Sequence, residues 1–170
     1  MVLKCSYLKV LEIFFKEPIA IHFIKEVGKR IKLAPTSVRN NMKELLKAKL
    51  IIEKKSKPFN GFVANRENDK FIFYKRLYNF YTLDSLKNEL VESLHPKAIV
   101  VFGSYSLGED IETSDVDVLV VSKASKELVL KKFEKLLGRK INIIIVEDLN
   151  KLDTNIQKKV INGFVIYGGL

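Results

Sequence analysis

Two short, mostly apolar runs, Ala98 to Phe102 and Val116 to Val121, stand on either side of a polar loop, and they constrain the fold more than any other feature. Runs this short suit strands buried on both faces. They fall far below the ~20 residues needed to cross a bilayer. Beyond them the pattern predicts a helix from Ser125 to Leu137 ended by Gly138, a strand from Lys140 to Val146, and a helix over about 148–162. Phe164 to Tyr167 reads as a short last strand, and Gly168-Gly169 as a tail. Strand, helix and strand in succession make a sheet packed by helices.

The first third reads differently. Leu3, Tyr7, Val10, Leu11, Phe14 and Phe15 recur at helical spacing, which predicts a helix over 3–16 that stops before Pro18. Phe23, Ile24, Val27 and Ile31 mark a helix over about 21–31. Pro35 suits the first position of a third helix, over about 36–49, where its missing N–H costs little. Leu50 to Lys55 reads as a strand, Pro58-Phe59-Asn60-Gly61 as a turn, and Phe62 to Asn65 as a returning strand. An aromatic stripe, Phe71, Tyr74, Leu77, Tyr78 and Tyr81, then begins a helical stretch. Leu83, Leu86, Leu90 and Leu94 continue it, with Thr82 or Asp84 as a cap, until His95-Pro96 breaks it.

Three helices and a hairpin resemble the winged helix-turn-helix domains of bacterial and archaeal transcription regulators. The likeness runs over residues 3–64 and is carried by Pro35-Thr36-Ser37-Val38 through Leu50-Ile51-Ile52-Glu53-Lys54. It implies that Thr36, Ser37, Arg39, Asn40 and Lys43 on the third helix face a major groove. There Arg and Asn pair with base edges while Ser and Thr hold phosphates. Lys54, Lys55 and Lys57 sit where the wing would reach the backbone.

Charge points the same way. Residues 1–57 carry 14 Lys and Arg against 5 Asp and Glu, a net of +9 in a chain whose total is +10. So concentrated a positive field implies a polyanionic partner, either nucleic acid or an anionic membrane surface, and the winged-helix likeness makes double-stranded DNA the expected one. Lys-rich helices that merely solvate the surface, or a wing used for protein contact, are the alternatives. Cys5 has no cysteine to pair with, and His22 and His95 are too few to complete a Cys/His metal cluster. The first residues, Met1 to Ser6, hold no signal-like apolar stretch, so a reducing, cytoplasmic setting and no membrane role are expected.

The loop between the two apolar runs carries the chemistry. Gly103 lets the backbone bend sharply or come close to a ligand. Ser104 offers a hydroxyl and an N–H to a phosphate. Residues two apart on a strand point the same way, so Asp115 and Asp117 project together while Val116 and Val118 face a packed side. Paired carboxylates beside a phosphate loop make a hard oxygen site for Mg²⁺.

Gly103-Ser104, Gly108 and Ser114-Asp115-Val116-Asp117 form the spacing G-S-x3-G-x5-S-D-x-D. It resembles the minimal nucleotidyltransferases of the DNA polymerase beta-like superfamily, over about residues 97–167. That resemblance implies an α+β chain: a winged helix-turn-helix over 1–81, then over 82–170 a small mixed sheet flanked by helices. It implies transfer of a nucleoside monophosphate from an NTP, ATP above all, to a hydroxyl. Gly103, Ser104, Gly108 and Ser114 would bind the nucleotide, and Asp115 and Asp117 the metal. The family carries a third carboxylate on the strand after the intervening helix, and here Asn142 stands in its place. An amide ligates through its oxygen but takes no proton near neutral pH. Tyr105, Ser106 and Leu107 occupy loop positions where many minimal members carry arginines. Two readings follow: an active enzyme, or a catalytically weakened DNA-binding regulator or antitoxin that binds nucleotide or a HEPN-type toxin. A homodimer is a further expectation.

Overall fold

Near-continuous apolar runs make strands that must be covered on both faces, and the C-terminal half of the chain meets that demand with helices. The computed structural model describes residues 5–57, 59–124, 126 and 128–169. Leu3, Pro58 and Ser125, which entered the expectations for the first helix, the wing turn and the 125–137 helix, lie outside the described residues. The chain divides into two compact units, one up to Lys75 and one from Arg76. The division falls inside a helix.

In the first unit, α1 (Ser6–Lys16), α2 (Ile24–Ile31) and α3 (Pro35–Lys47) precede a hairpin of β1 (Ile51–Lys54) and β2 (Gly61–Ala64). Val10, Phe14, Val27, Val38, Met42, Leu45, Leu50 and Ile51 are buried in this unit. Pro35 opens α3 at its first turn. The α2–α3 turn is tight: a Cβ on Gly28 would meet the Leu33 carbonyl oxygen at 2.8 Å. Lys32 closes α2 with φ 55°, in the left-handed region.

The start of α2 departs from the periodicity reading. His22 is not helical but forms an antiparallel bridge with Phe62, their N–H and C=O groups exchanging bonds of 2.8 and 2.9 Å. The β2 edge needed partners for its backbone groups, and satisfying buried N–H and C=O outweighs a marginal gain in helix length.

α4 (Asp69–Thr82) starts under Asn68, whose Oδ1 accepts the N–H groups of Lys70 and Phe71 at 2.9 and 3.2 Å. The helical stretch then splits, with α5 running Asp84–Leu94. Neither Thr82 nor Asp84 caps α5. The N-cap is Leu83, which is buried, and Thr82 Oγ1 donates back to Asn79 O at 2.8 Å.

The second unit is built on a four-stranded sheet in the order β5-β4-β3-β6. Its strands are β3 (Ala98–Phe102), β4 (Val116–Val121), β5 (Ile141–Val146) and β6 (Phe164–Gly168). β4 is antiparallel to β3 and parallel to β5, and β6 is antiparallel to β3, so the sheet is mixed. One face packs Ile99, Val101, Val116, Val118 and Val120 against Leu86, Leu90 and Leu94 of α5 and Phe133 of α7 (Lys131–Leu137). The other packs Ala98, Val100, Phe102, Leu119 and Val121 against Leu152 and Val160, the latter on α8 (Thr154–Ile161).

Two helices are shorter than the sequence predicts. α7 begins at Lys131. Leu128 and Leu130 pack against the core ahead of the helix, Leu130 as its N-cap, so burial sets the start of α7 there. The 148–162 segment is a 3-10 turn, Leu149–Lys151, then extended Leu152, then α8 capped by the Asp153 carboxylate. Burial of Leu152 and the Asp153 cap together set the break.

Gly168 is not a tail residue. It pairs with Ala98 at φ 68°, and a Cβ there would come within 1.9 Å of the Lys97 carbonyl oxygen. We expect Gly168→Ala to cost about 1–3 kcal/mol through that clash and the left-handed backbone. Hydrogen exchange should show β6 losing protection before β4 and β5. Equal protection in variant and parent would contradict this.

Candidate active site

Register places the site. Phe102 is opposite Asp117 on the β3–β4 ladder, and Asp117 is beside Asn142 on the β4–β5 ladder. The chain leaving β3 at Gly103, the Asp117 carboxylate and the Asn142 amide therefore meet at one end of three adjacent strands. By strand alternation Asp117 shares its face with Leu119 and Val121, and Val116 and Val118 are packed on the opposite face.

Asp115 and Asp117 do converge. Asn142 Nδ2 donates to Asp115 Oδ2 at 3.3 Å and to Asp117 Oδ1 at 3.1 Å. One amide nitrogen thus bridges two carboxylates. Gly103 sits against Asp117 with φ 74°, and a Cβ would lie 2.7 Å from Asp117 Oδ2. A side chain at 103 would be strained by that φ and would push the carboxylate aside. α6 (Gly103–Leu107) follows at once, carrying half-buried Ser104 in its first turn.

The loop's remaining residues are occupied structurally. Ser106 Oγ donates to Gly103 O at 2.8 Å, and Arg76 Nε donates to Ser106 O at 3.1 Å. Gly108 closes α6 in the left-handed region at φ 72°. Ser114 Oγ accepts the Ile111 N–H at 2.9 Å. Tyr105 is buried, with its hydroxyl 2.9 Å from Thr82 Oγ1. Burial pushes its phenol up to about 12, so it stays protonated and supplies no base.

A buried polar cluster secures this loop, and the local sequence pattern does not reveal it. Asp110 is fully buried. Its Oδ2 lies 2.6 Å from Arg139 Nη2, and its Oδ1 accepts Asn79 Nδ2 at 2.8 Å. Arg139 Nη1 also donates to the carbonyls of Ile111 and Ser114. Arg139, just ahead of β5, thereby ties down the segment that delivers Asp115 beside Asn142. The only signal in the sequence is a charged Asp110 and a charged Arg139 flanking apolar strands, and their pairing joins positions far apart in the chain.

Glu147 and Asp148 lie at the far end of β5, bonded to Lys151 Nζ and to the Asn150 N–H, and do not substitute for a third carboxylate. Among the described residues no group of three or more His, Cys, Asp or Glu could hold a metal. Two converging carboxylate oxygens in a glycine-walled recess nevertheless fit one Mg²⁺, which is commonly held by one or two carboxylates with phosphate oxygens completing the shell.

The residues expected to meet DNA lie in the first unit. Thr36, Arg39, Asn40 and Lys43 are exposed on α3 and Ser37 is half-buried, while Val38, Met42 and Leu45 face inward. Lys54 ends β1, and Lys55 and Lys57 follow it. All three are exposed. No helix among the described residues is long and apolar enough to cross a membrane.

Over 34 residues, 20% of this chain, the sequence is 53% identical to a Methanocaldococcus jannaschii protein named as a putative protein adenylyltransferase. The match spans 40% of that relative's length. The model of the nucleotidyltransferase domain matches residues 83–167, half of the chain, and so takes in α5, the Gly103-Ser104 loop, both aspartates and Asn142. By that match, with the paired aspartates and glycine-walled loop where the fold brings them together, the chain belongs to the nucleotidyltransferase domain family.

Proposed function

We propose that the second unit is a metal-dependent nucleotidyltransferase that moves a nucleoside monophosphate from an NTP, ATP in the first instance, to a hydroxyl acceptor. The observation that supports this is the convergence of Asp115 and Asp117 on one point beside Gly103. In this reading Asp115 and Asp117 hold Mg²⁺. Gly103 and Ser104 receive the polyphosphate, and Gly108 and Ser114 shape the loop that does so. A bound Mg²⁺ supplies charge stabilisation at the attacking and leaving oxygens. The bond that forms joins the acceptor oxygen to the α-phosphorus. The bond that breaks releases pyrophosphate. The acceptor proton leaves to water, because the Asn142 amide takes none near neutral pH.

The name of the Methanocaldococcus relative makes a protein hydroxyl the first acceptor to test. Incubation with ATP labelled on its α-phosphate, Mg²⁺ or Mn²⁺ and candidate acceptors should move label to the acceptor. If no transfer depends on Asp115 and Asp117, the proposal fails.

We propose further that the first unit is a winged helix-turn-helix that binds double-stranded DNA through Thr36, Ser37, Arg39, Asn40, Lys43, Lys54, Lys55 and Lys57. The exposed cations on α3 and after β1 support it. In the double variant Arg39→Ala, Lys55→Ala, loss of the Lys55 phosphate contact should reduce the slope of log affinity against log salt by about 1, and loss of the Arg39 base contact should relax sequence preference. A gel-shift titration measures this, and binding indifferent to salt and to both substitutions counts against it.

The bridging Asn142 favours a second reading, in which transfer is weakened and the protein acts as a DNA-binding regulator or antitoxin that binds nucleotide or a HEPN-type partner. Nucleotide binding without turnover, combined with salt-dependent DNA binding, would select it.

A further inference from the structure

Asn142 sits where its nitrogen blocks what the carboxylates would otherwise do. Asp115 Oδ2 and Asp117 Oδ1 both point at Nδ2, at 3.3 and 3.1 Å. A cation shared by the two oxygens needs that same space. The amide hydrogens carry partial positive charge, so they relieve the repulsion between the carboxylates and also repel an incoming cation. An amide has a single acceptor atom, Oδ1, and no net charge. It therefore contributes at most one neutral ligand, and only after its nitrogen has left the pair.

We infer that Asn142 makes this a one-cation site that is closed at rest: its amide straps Asp115 to Asp117, and a divalent cation enters only by displacing that strap. The inference rests on the reading of the second unit as a nucleotidyltransferase. Charge supports it. Two carboxylates balance one divalent ion, and the amide leaves nothing to balance a second. The described residues supply no third carboxylate nearby, since Glu147 and Asp148 are engaged at the opposite end of β5. Access supports it too. Asn142 is exposed, so its amide has room to turn without repacking the sheet. Phosphate oxygens of a bound nucleotide would supply the ligands the protein lacks, so nucleotide and cation are expected to enter together.

The test counts ions rather than turnover. Bound Mn²⁺ is measured by electron paramagnetic resonance on the full chain, with Mn²⁺ alone and with a non-hydrolysable ATP analogue. The parent protein should bind Mn²⁺ weakly alone and reach one ion per chain with the analogue. Asn142→Ala removes the strap and adds no charge, so it should still bind one ion, several-fold more tightly without nucleotide. Asn142→Asp should reach two ions per chain with a spin-coupled signal. Circular dichroism confirms that these surface variants fold.

Two Mn²⁺ per chain in the parent, or no tightening in Asn142→Ala, overturns the inference and leaves the nucleotidyltransferase reading standing. Failure of every variant, Asn142→Asp included, to bind Mn²⁺ in a way that depends on Asp115 and Asp117 overturns both.

Discussion

Replacing Arg139 with methionine is expected to destabilise the second unit by about 3–5 kcal/mol, the range for removing one partner of a buried ion pair. Asp110 is fully buried and its Oδ2 lies 2.6 Å from Arg139 Nη2, so the variant takes a close, buried cation away from that carboxylate. The cost does not end there, because the Arg139 guanidinium also satisfies the carbonyls of Ile111 and Ser114. Adding Asp110→Leu should return part of the stability by removing the buried charge that Arg139 balanced. Full recovery is not expected, since Asn79 Nδ2 then lacks the Asp110 oxygen it bonds at 2.8 Å. Urea unfolding followed by circular dichroism measures both variants. A change under about 1 kcal/mol for Arg139→Met, the range of an exposed pair, would mean that the ion pair contributes little in solution.

Asp117→Asn is expected to lower nucleotidyl transfer on the order of 10³-fold, since removing several kcal/mol of metal-based charge stabilisation costs about tenfold for each 1.4 kcal/mol. The substitution preserves shape beside Gly103, where a Cβ would lie 2.7 Å from Asp117 Oδ2. Stability should hold or rise, because one of two facing carboxylates loses its charge. That contrast separates a site residue from a structural one. Transfer and melting temperature are measured on the same preparations. Unchanged transfer would remove Asp117 from the site, and a large fall in melting temperature would assign it to the fold.

Much of this protein is legible in its local pattern. Alternation set Val116 and Val118 against the packed face and put Asp115 and Asp117 on the other, and the structure keeps both. The glycine at 103 reads as a close approach, and the neighbour it makes room for is the Asp117 carboxylate. The ends of elements were less legible, for identifiable reasons. His22 leaves its helical pattern to pair with Phe62. Leu128 and Leu130 reach the core ahead of the helix. Gly168 looks like a tail but completes an edge strand against Ala98.

What the chain determined by itself was whatever depends on spacing: the period of each element, the serine-tipped loop, and two acids two residues apart. Only the tertiary structure decided that Asp110 would meet Arg139, that Tyr105 would point inward, and that the Asn142 amide would lie between the two aspartates. The reason is physical. Local preferences act over a few residues, whereas the two bonds from the Asn142 amide span 27 and 25 positions and form only once the sheet has set its register.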